Sequence, residues 1–418
     1  MPVNFHHGPE IVEHKDGVTV VRDVKSAVTY VNGLAPIHLT DVTPADRAKK
    51  INKRIIVRTQ AEATELFGPP TVGFDIPNRL DAIFDQGGGG TIIVNNVFNP
   101  DVHKSATNVP DPTKVTTPEL TGTITNDQAT GLKGAYECYN RFGYFPKLIL
   151  STSSQVNTVR AEMDVVASKL GAIAICDLPT GLTKQQAVEA RGATGIANTS
   201  SARTVLCYPS VLIEDKVNGG TMLDHLSSRI AGLIIATDLE LGYHHSFSNR
   251  EMKGVVGLEV PINFYPTDTQ NDTNFLNEAG IVTAMRSFAT GFRSFGNRSA
   301  AFPSSSHVEN FIHARRILDM THEAIVFFLM NYVDRLGTPQ NVEAAEEGVN
   351  AYLRAKIGDR VFYGATFRFD RQKNTPEQIA DGRFHYTLEC HPTSVMERIT
   401  THSYVDTKFI ANALALAA

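Results

Sequence analysis

Residues 147–177 read KLILSTSSQVNTVRAEMDVVASKLGAIAICD, and this stretch decides the fold class. Lys147–Ser151 is an apolar strand. Gln155–Leu170 carries Val156, Val159, Met163, Val166 and Leu170 at steps of three and four, the spacing of one helix face. Ala172–Asp177 is again an apolar strand, Thr183–Ala190 reads as a helix, and Thr204–Tyr208 as a third strand. The β-α-β-α-β order predicts a parallel, helix-covered sheet with right-handed crossovers.

Upstream, Leu132–Tyr144 reads as helical, and Ser26–Leu34, Ile55–Thr59 and Thr91–Val97 as strands; 99–130 is rich in Pro, Thr, Asp and Asn and reads as loop or as weak β structure. Glu10–Val24 has the β-branched density of a strand, with nothing beside it to pair with. Downstream, Met222–Leu241 reads as mostly helical. Val308–Leu336 is the strongest helix, with Phe311, Ala314, Leu318, Thr321, Ile325, Phe328 and Tyr332 on one stripe. Val342–Ile357 is a second helix. Val361–Phe369 alternates, with Val361, Tyr363, Ala365, Phe367 and Phe369 on one side, and Arg383–Cys390, holding Phe384, Tyr386 and Leu388, is its expected antiparallel partner. Two strands are marginal alone. An extended stretch, Glu397–Val405, and a short apolar helix, Lys408–Leu416, close the chain.

Composition bounds the function. The chain has 418 residues, 42 % hydrophobic and 20 % charged, enough for a sizeable core and two or three domains. Lys plus Arg is 39 against 44 Asp plus Glu, a net charge of −5, which argues against a nucleic-acid partner. The longest apolar runs, Ala324–Met330 and Ala231–Ala236, are far short of the ~18 residues a membrane span needs. The polar start Met1–Glu10 is not a secretory signal. Cys138, Cys176, Cys207 and Cys390 lie far apart, as in a reduced, disulfide-free cytoplasmic chain.

Candidate chemistry is weak throughout. Gly87–Gly90 precedes a strand, whereas a phosphate loop follows one and continues into Lys-Ser/Thr. His322-Glu323 lacks the second His of a zinc-peptidase helix, because Val326 holds that position. The pairs His6-His7 and His244-His245 are sequence neighbours that point apart. Cys390-His391 would face opposite sides of a strand. Asp238 and Glu240 beside His244 could serve acid–base chemistry but read better as solvated carboxylates at a helix end. No G-x-S-x-G elbow occurs. The reading is of no catalytic residues, no cofactor and no metal.

Several stretches together resemble the contractile tail sheath proteins of phages and R-type tailocins. Phe5-His6-His7-Gly8 followed by a Val-rich arm is similar to that family's start. The stretch from Thr237-Asp238 through Gly242-Tyr243 to Ser246-Phe247-Ser248-Asn249-Arg250-Glu251 resembles its signature, with Phe247 for the usual Pro, and Gly254-Val255-Val256-Gly257 continues it. Gly291-Phe292-Arg293-Ser294-Phe295-Gly296-Asn297-Arg298-Ser299 resembles its G-x-R-x-W-G-N-R-T, with Phe295 for Trp and Ser299 for Thr. The resemblance is strongest over 230–370 and weakest over 35–130.

The resemblance implies a structural, non-enzymatic subunit of α/β and α+β multidomain fold. An outer α/β domain with a mostly parallel sheet (26–267, core about 132–241) would join an inner domain of helices plus a small antiparallel sheet (268–394). Arms 1–25 and 395–418 from neighbouring subunits would complete that sheet. The arms would offer Ile11, Val12, Val18, Val20 and Val21 at one end and Val395, Ile399, Tyr404 and Val405 at the other. The acceptor sheet would offer Val361, Tyr363, Phe367, Phe369, Phe384, Tyr386 and Leu388. Six copies would form each ring, and rings would stack around a tail tube and contract to drive it through the host envelope. Partners would be further copies, the tube protein, baseplate and tail terminator proteins; the product would be a virion tail or tailocin assembled in the host bacterial cytoplasm. Arg354 and Lys356, near a helix C-terminus where cations are favoured, could meet acidic groups on the tube. Linkers Asp23–Ser26 and His391–Ser394 are the expected hinges. Two other classes fit the residues: an α/β enzyme built on 145–210, and a static capsid-like shell protein.

Overall fold

The computed structural model describes residues 21–41, 43–87, 89–215, 218–287 and 291–410. Its main strands before residue 300, in chain order, are β1 (Val28–Gly33), β2 (Arg54–Val57), β3 (Thr91–Asn96), β4 (Leu148–Ser151), β5 (Ile173–Asp177), β6 (Thr204–Cys207), β7 (Val211–Glu214), β8 (Thr221–Asp224), β9 (Glu251–Met252), β10 (Gly257–Leu258), β11 (Ile281–Arg286) and β12 (Phe292–Phe295). Nine of them form one sheet in the order β9-β12-β11-β6-β5-β4-β1-β3-β2. The six from β11 to β3 run parallel, and the antiparallel pairs lie at the two edges.

Helices α1 (Ile76–Asp85), α2 (Asn157–Leu170) and α3 (Leu226–Glu240) cover the two faces. Tyr30, Ile149, Ala174, Cys176 and Leu206 join the core under α2. Val31, Val94, Leu148, Leu150 and Ile175 join the core under α1 and α3. Successive residues on a strand point to opposite faces, and with helices on both sides both sets are buried, so such strands read as largely apolar runs. That is why all six residues of β1 and all four of β4 are buried. α2 ends at Gly171, whose φ of 62° suits glycine.

The sheet extends beyond the expected division at 267/268. β11 pairs with β6, and β12 with β11, so the body continues to about Phe295. Met222–Asp224 is strand rather than helix, because it closes a hairpin with β7; α3 starts only at Leu226.

A second unit follows. Helix α4 (Ile312–Leu329), shorter than the expected Val308–Leu336, ends where the Asn331 side-chain amide donates to the Phe328 carbonyl at 2.8 Å. Helix α5 (Pro339–Gly358) opens on a Thr338 cap with proline at its first position. Strands β13 (Phe362–Phe369) and β14 (Tyr386–Pro392) form an antiparallel pair. Ile317, Ile325, Phe328, Val349, Leu353, Phe362 and Phe367 make its separate core. Alternation along β13 is broken: an irregularity between Phe362 and Gly364 turns Phe362 inward and leaves Tyr363 65 % exposed. The inward set is therefore Val361, Phe362 and Phe367, with Phe369 half-buried, and the expected place of Tyr363 on that face is corrected.

Candidate assembly site: the inner unit and the chain exits

α4 is buried on two sides. One stripe packs into the inner core, and the opposite side carries charge toward the body. Arg316 grips Asp238, at the end of α3, through both carboxylate oxygens, with Nη1 to Oδ1 at 2.8 Å. Their side chains are 4 % and 1 % exposed, so Asp238 is a buried ion-pair partner and not a solvated carboxylate. Arg203, preceding β6, forks onto Asp319 at 2.5 and 2.7 Å, and Arg315 reaches the same carboxylate at 2.9 Å. Lys147, at the head of β4, pairs with Glu323. Burial pushes the Lys147 ammonium down and the Glu323 carboxyl up, against their mutual attraction. Charges at 316, 319 and 323 thus tie the inner unit to the body.

The two chain exits meet the inner unit beside this rack. Asp23 accepts from Lys356 Nζ at 2.8 Å and from the Tyr352 hydroxyl at 3.2 Å. The Lys356 side chain is 10 % exposed. Burial pulls its ammonium down, but Asp23, Tyr243 and Asp359 together outweigh that and the net direction is up. Val21 is buried against α4 and α5 of its own chain. At the other exit, β14 runs through Pro392, the Thr393 amide donates to the Val361 carbonyl at 3.0 Å, and the His313 ring meets the Thr393 carbonyl at 3.1 Å. Four residues on, Glu397 is clasped by Arg298 at 2.8 Å.

These contacts correct three expectations. Lys356 is 10 % exposed and paired with Asp23 of its own chain, whereas Arg354 is 60 % exposed and pairs with Glu347. Val21 is buried in the inner core of its own chain. The expected hinge residues Asp23 and His391–Thr393 are pinned. Ile11, Val12, Val18 and Val20 lie outside the described residues. Val395 is half-buried, while Ile399, Tyr404 and Val405 are 75, 84 and 101 % exposed.

Among the described residues, β13 and β14 have only each other as strand partners, so each keeps an outer edge. Phe367 stacks on Tyr386 at 5.0 Å, and Phe384 precedes β14 and packs on Phe369 at 6.4 Å; Leu388 faces the same core. Asp23, Tyr352, His313 and Arg316 carry no sequence signal for these roles, because each partner lies about 80 or more positions away.

His313 makes the joint sensitive to acid. Burial, and then Arg316 nearby, hold its ring below the usual imidazole range; burial and His245, 4.3 Å away ring to ring, do the same for His244. A lowered folded pKa means the unfolded chain binds the proton first, so stability is present above about pH 6.5 and falls as pH drops through and below that value. Urea unfolding at pH 7.5 and 5.5 should show this loss, and His313→Gln should flatten the slope. An unchanged slope in the variant would contradict the assignment.

Comparison with known proteins places this geometry. The model of the phage tail sheath protein central domain matches residues 122–300. The tail sheath protein of Escherichia phage P2 is 24 % identical over 98 % of both chains. The contracted sheath complex of the PVC extracellular contractile injection system, at 16 % identity, superposes with a TM-score of 0.68 over 98 % of this chain and all of the other, and so shares the fold. The tail sheath protein of Burkholderia phage BcepMu is 32 % identical over 98 % of both chains, and on that likeness the chain belongs to the phage tail sheath protein family.

Proposed function

We propose that this chain polymerises as stacked six-membered rings around a tail tube and contracts to drive the tube through a host envelope. It would assemble in the bacterial cytoplasm, against a baseplate at one end and a terminator protein at the other. The observation that carries this reading is the open β13–β14 pair beside an exposed apolar C-terminal segment. A free edge is a template for strand addition, and Met396, Ile399, Tyr404 and Val405 are 75–101 % exposed in the single chain. Full burial of such side chains contributes ~1.5–3 kcal/mol each. Residues 1–20 would supply the second donated strand.

The unit that moves between ring arrangements is then the body with its inner unit, held by the charge rack. The bending falls outside the pinned residues, before Val21 and after Thr393. Arg354, on the exposed face of α5, remains the candidate for meeting an acidic tube. Electron microscopy of the purified chain without nucleotide or metal tests the reading: hollow striated tubes are expected. A chain that stays monomeric at tens of micromolar in low and high salt, or that closes into shells, would refute it.

A further inference from the structure

The inner unit carries a groove of about 760 Å³ between the first half of α5 and the connection from β13 to β14. Val342, Phe369, Ile379 and Phe384 supply its apolar lining, and Glu343 stands on its rim with no ion-pair partner among the described residues. We infer that this groove seats the apolar C-terminal segment, Phe409–Ala418, of a second copy of this chain. The inference rests on the strand-donation reading above and extends it to the residues beyond the donated strand.

Four observations point to that occupant. A helix starts at Lys408, and its Phe409 and Ile410 are 66 and 61 % exposed in the single chain. The sequence 409–418, FIANALALAA, contains no charged side chain and repeats apolar residues at 410, 414 and 417 and at 409, 413 and 416, a broad helical stripe that water does not stabilise. Lys408, just before it, is opposite in charge to Glu343; its pair with Asp406 at 2.7 Å is solvent-exposed and exchangeable.

The fourth observation is reach. The groove lies at the Phe369 end of the hairpin, whereas a chain leaves its own hairpin at the opposite end, where Phe362 pairs with Pro392. The exit is further drawn to the body through the Arg298–Glu397 pair. A neighbour's Arg398–Val405, the eight residues after Glu397, covers roughly 26 Å at ~3.3 Å per residue when extended along the free edge. The eight residues of β13 need the same length at that rise. A strand that enters at the Pro392 end therefore delivers Lys408 and the apolar segment beside the groove.

Mixing two variants before assembly, Val342→Cys and Leu414→Cys, each in a chain whose partly exposed Cys390 is replaced by Ser and whose other cysteines are buried, tests this, because a crosslink between positions 342 and 414 must join two copies. Oxidised mixed tubes should give the crosslinked dimer about tenfold or more above the same mixture kept disassembled, since assembly raises the effective concentration. Normal tubes without that dimer would overturn the groove assignment and leave strand donation standing. Wild-type protein that forms no tubes would overturn strand donation, and the groove with it. A charge pair gives an independent reading: Glu343→Lys should make tubes fall apart at lower salt, and adding Lys408→Glu should restore them. Glu343→Lys tubes with wild-type salt resistance, or no recovery in the double variant, would also overturn the assignment.

Discussion

Asp238→Asn is expected to lower folding stability by about 3–5 kcal/mol, the usual cost of removing one partner from a buried ion pair. Arg316 would keep its charge in a site where its side chain is 4 % exposed, without the carboxylate that holds both guanidinium nitrogens. Urea unfolding of the unassembled chain measures the effect. Replacing both partners by apolar residues, Asp238→Leu with Arg316→Met, should recover most of the loss, since the desolvation cost disappears with the charges. An Asp238→Asn chain with the wild-type midpoint would mean that the pair does not hold the inner unit to the body. Asp319 and Glu323 lie on the same helix face and share the load, so a partly unfolded inner unit is the expected product, with the parallel sheet intact.

Deleting residues 395–418 should act in the opposite way. The described part of this segment is largely exposed and forms few internal contacts apart from Arg298–Glu397. Removing an exposed segment hardly changes the single chain, so its unfolding midpoint should stay close to wild type. Assembly, however, should be abolished, because the donated strand and the apolar segment behind it are both gone. Sedimentation at concentrations where the full chain forms tubes distinguishes the two properties. Tubes built by the shortened chain would sink strand donation from the C-terminus; a shortened chain that no longer folds would show that the segment belongs to the subunit core.

The α/β core was legible because its signal is local. Lys147–Ser151 and Ala172–Asp177 are short, largely apolar runs around a helix with a clear three-four spacing, as expected of strands with helices on both faces. The two helices of the inner unit were legible for the same reason, from the stripe that includes Ala314, Leu318, Ile325 and Phe328. Misreadings arose where a contact from elsewhere overrode the local pattern. Met222–Asp224 continues into a helical sequence but pairs with β7. Tyr363 has the parity of an inward residue, yet the irregularity at Phe362–Gly364 moves it out.

For the candidate site, the sequence by itself determined the ingredients: a hairpin too small to stand alone, an apolar tail, and the resemblance that links them. Only the tertiary structure decided which charges are free. Arg354 and Lys356 sit two positions apart on one helix and looked equivalent, but one faces water and the other lies against Asp23, 333 positions away in the chain. Asp238 looked like a solvated helix end until α4 brought Arg316 over it. Hydrophobic periodicity is a property of neighbours in sequence, so it can be read along the chain. The partner of a buried charge is fixed by how distant elements pack, and no spacing in the sequence encodes it.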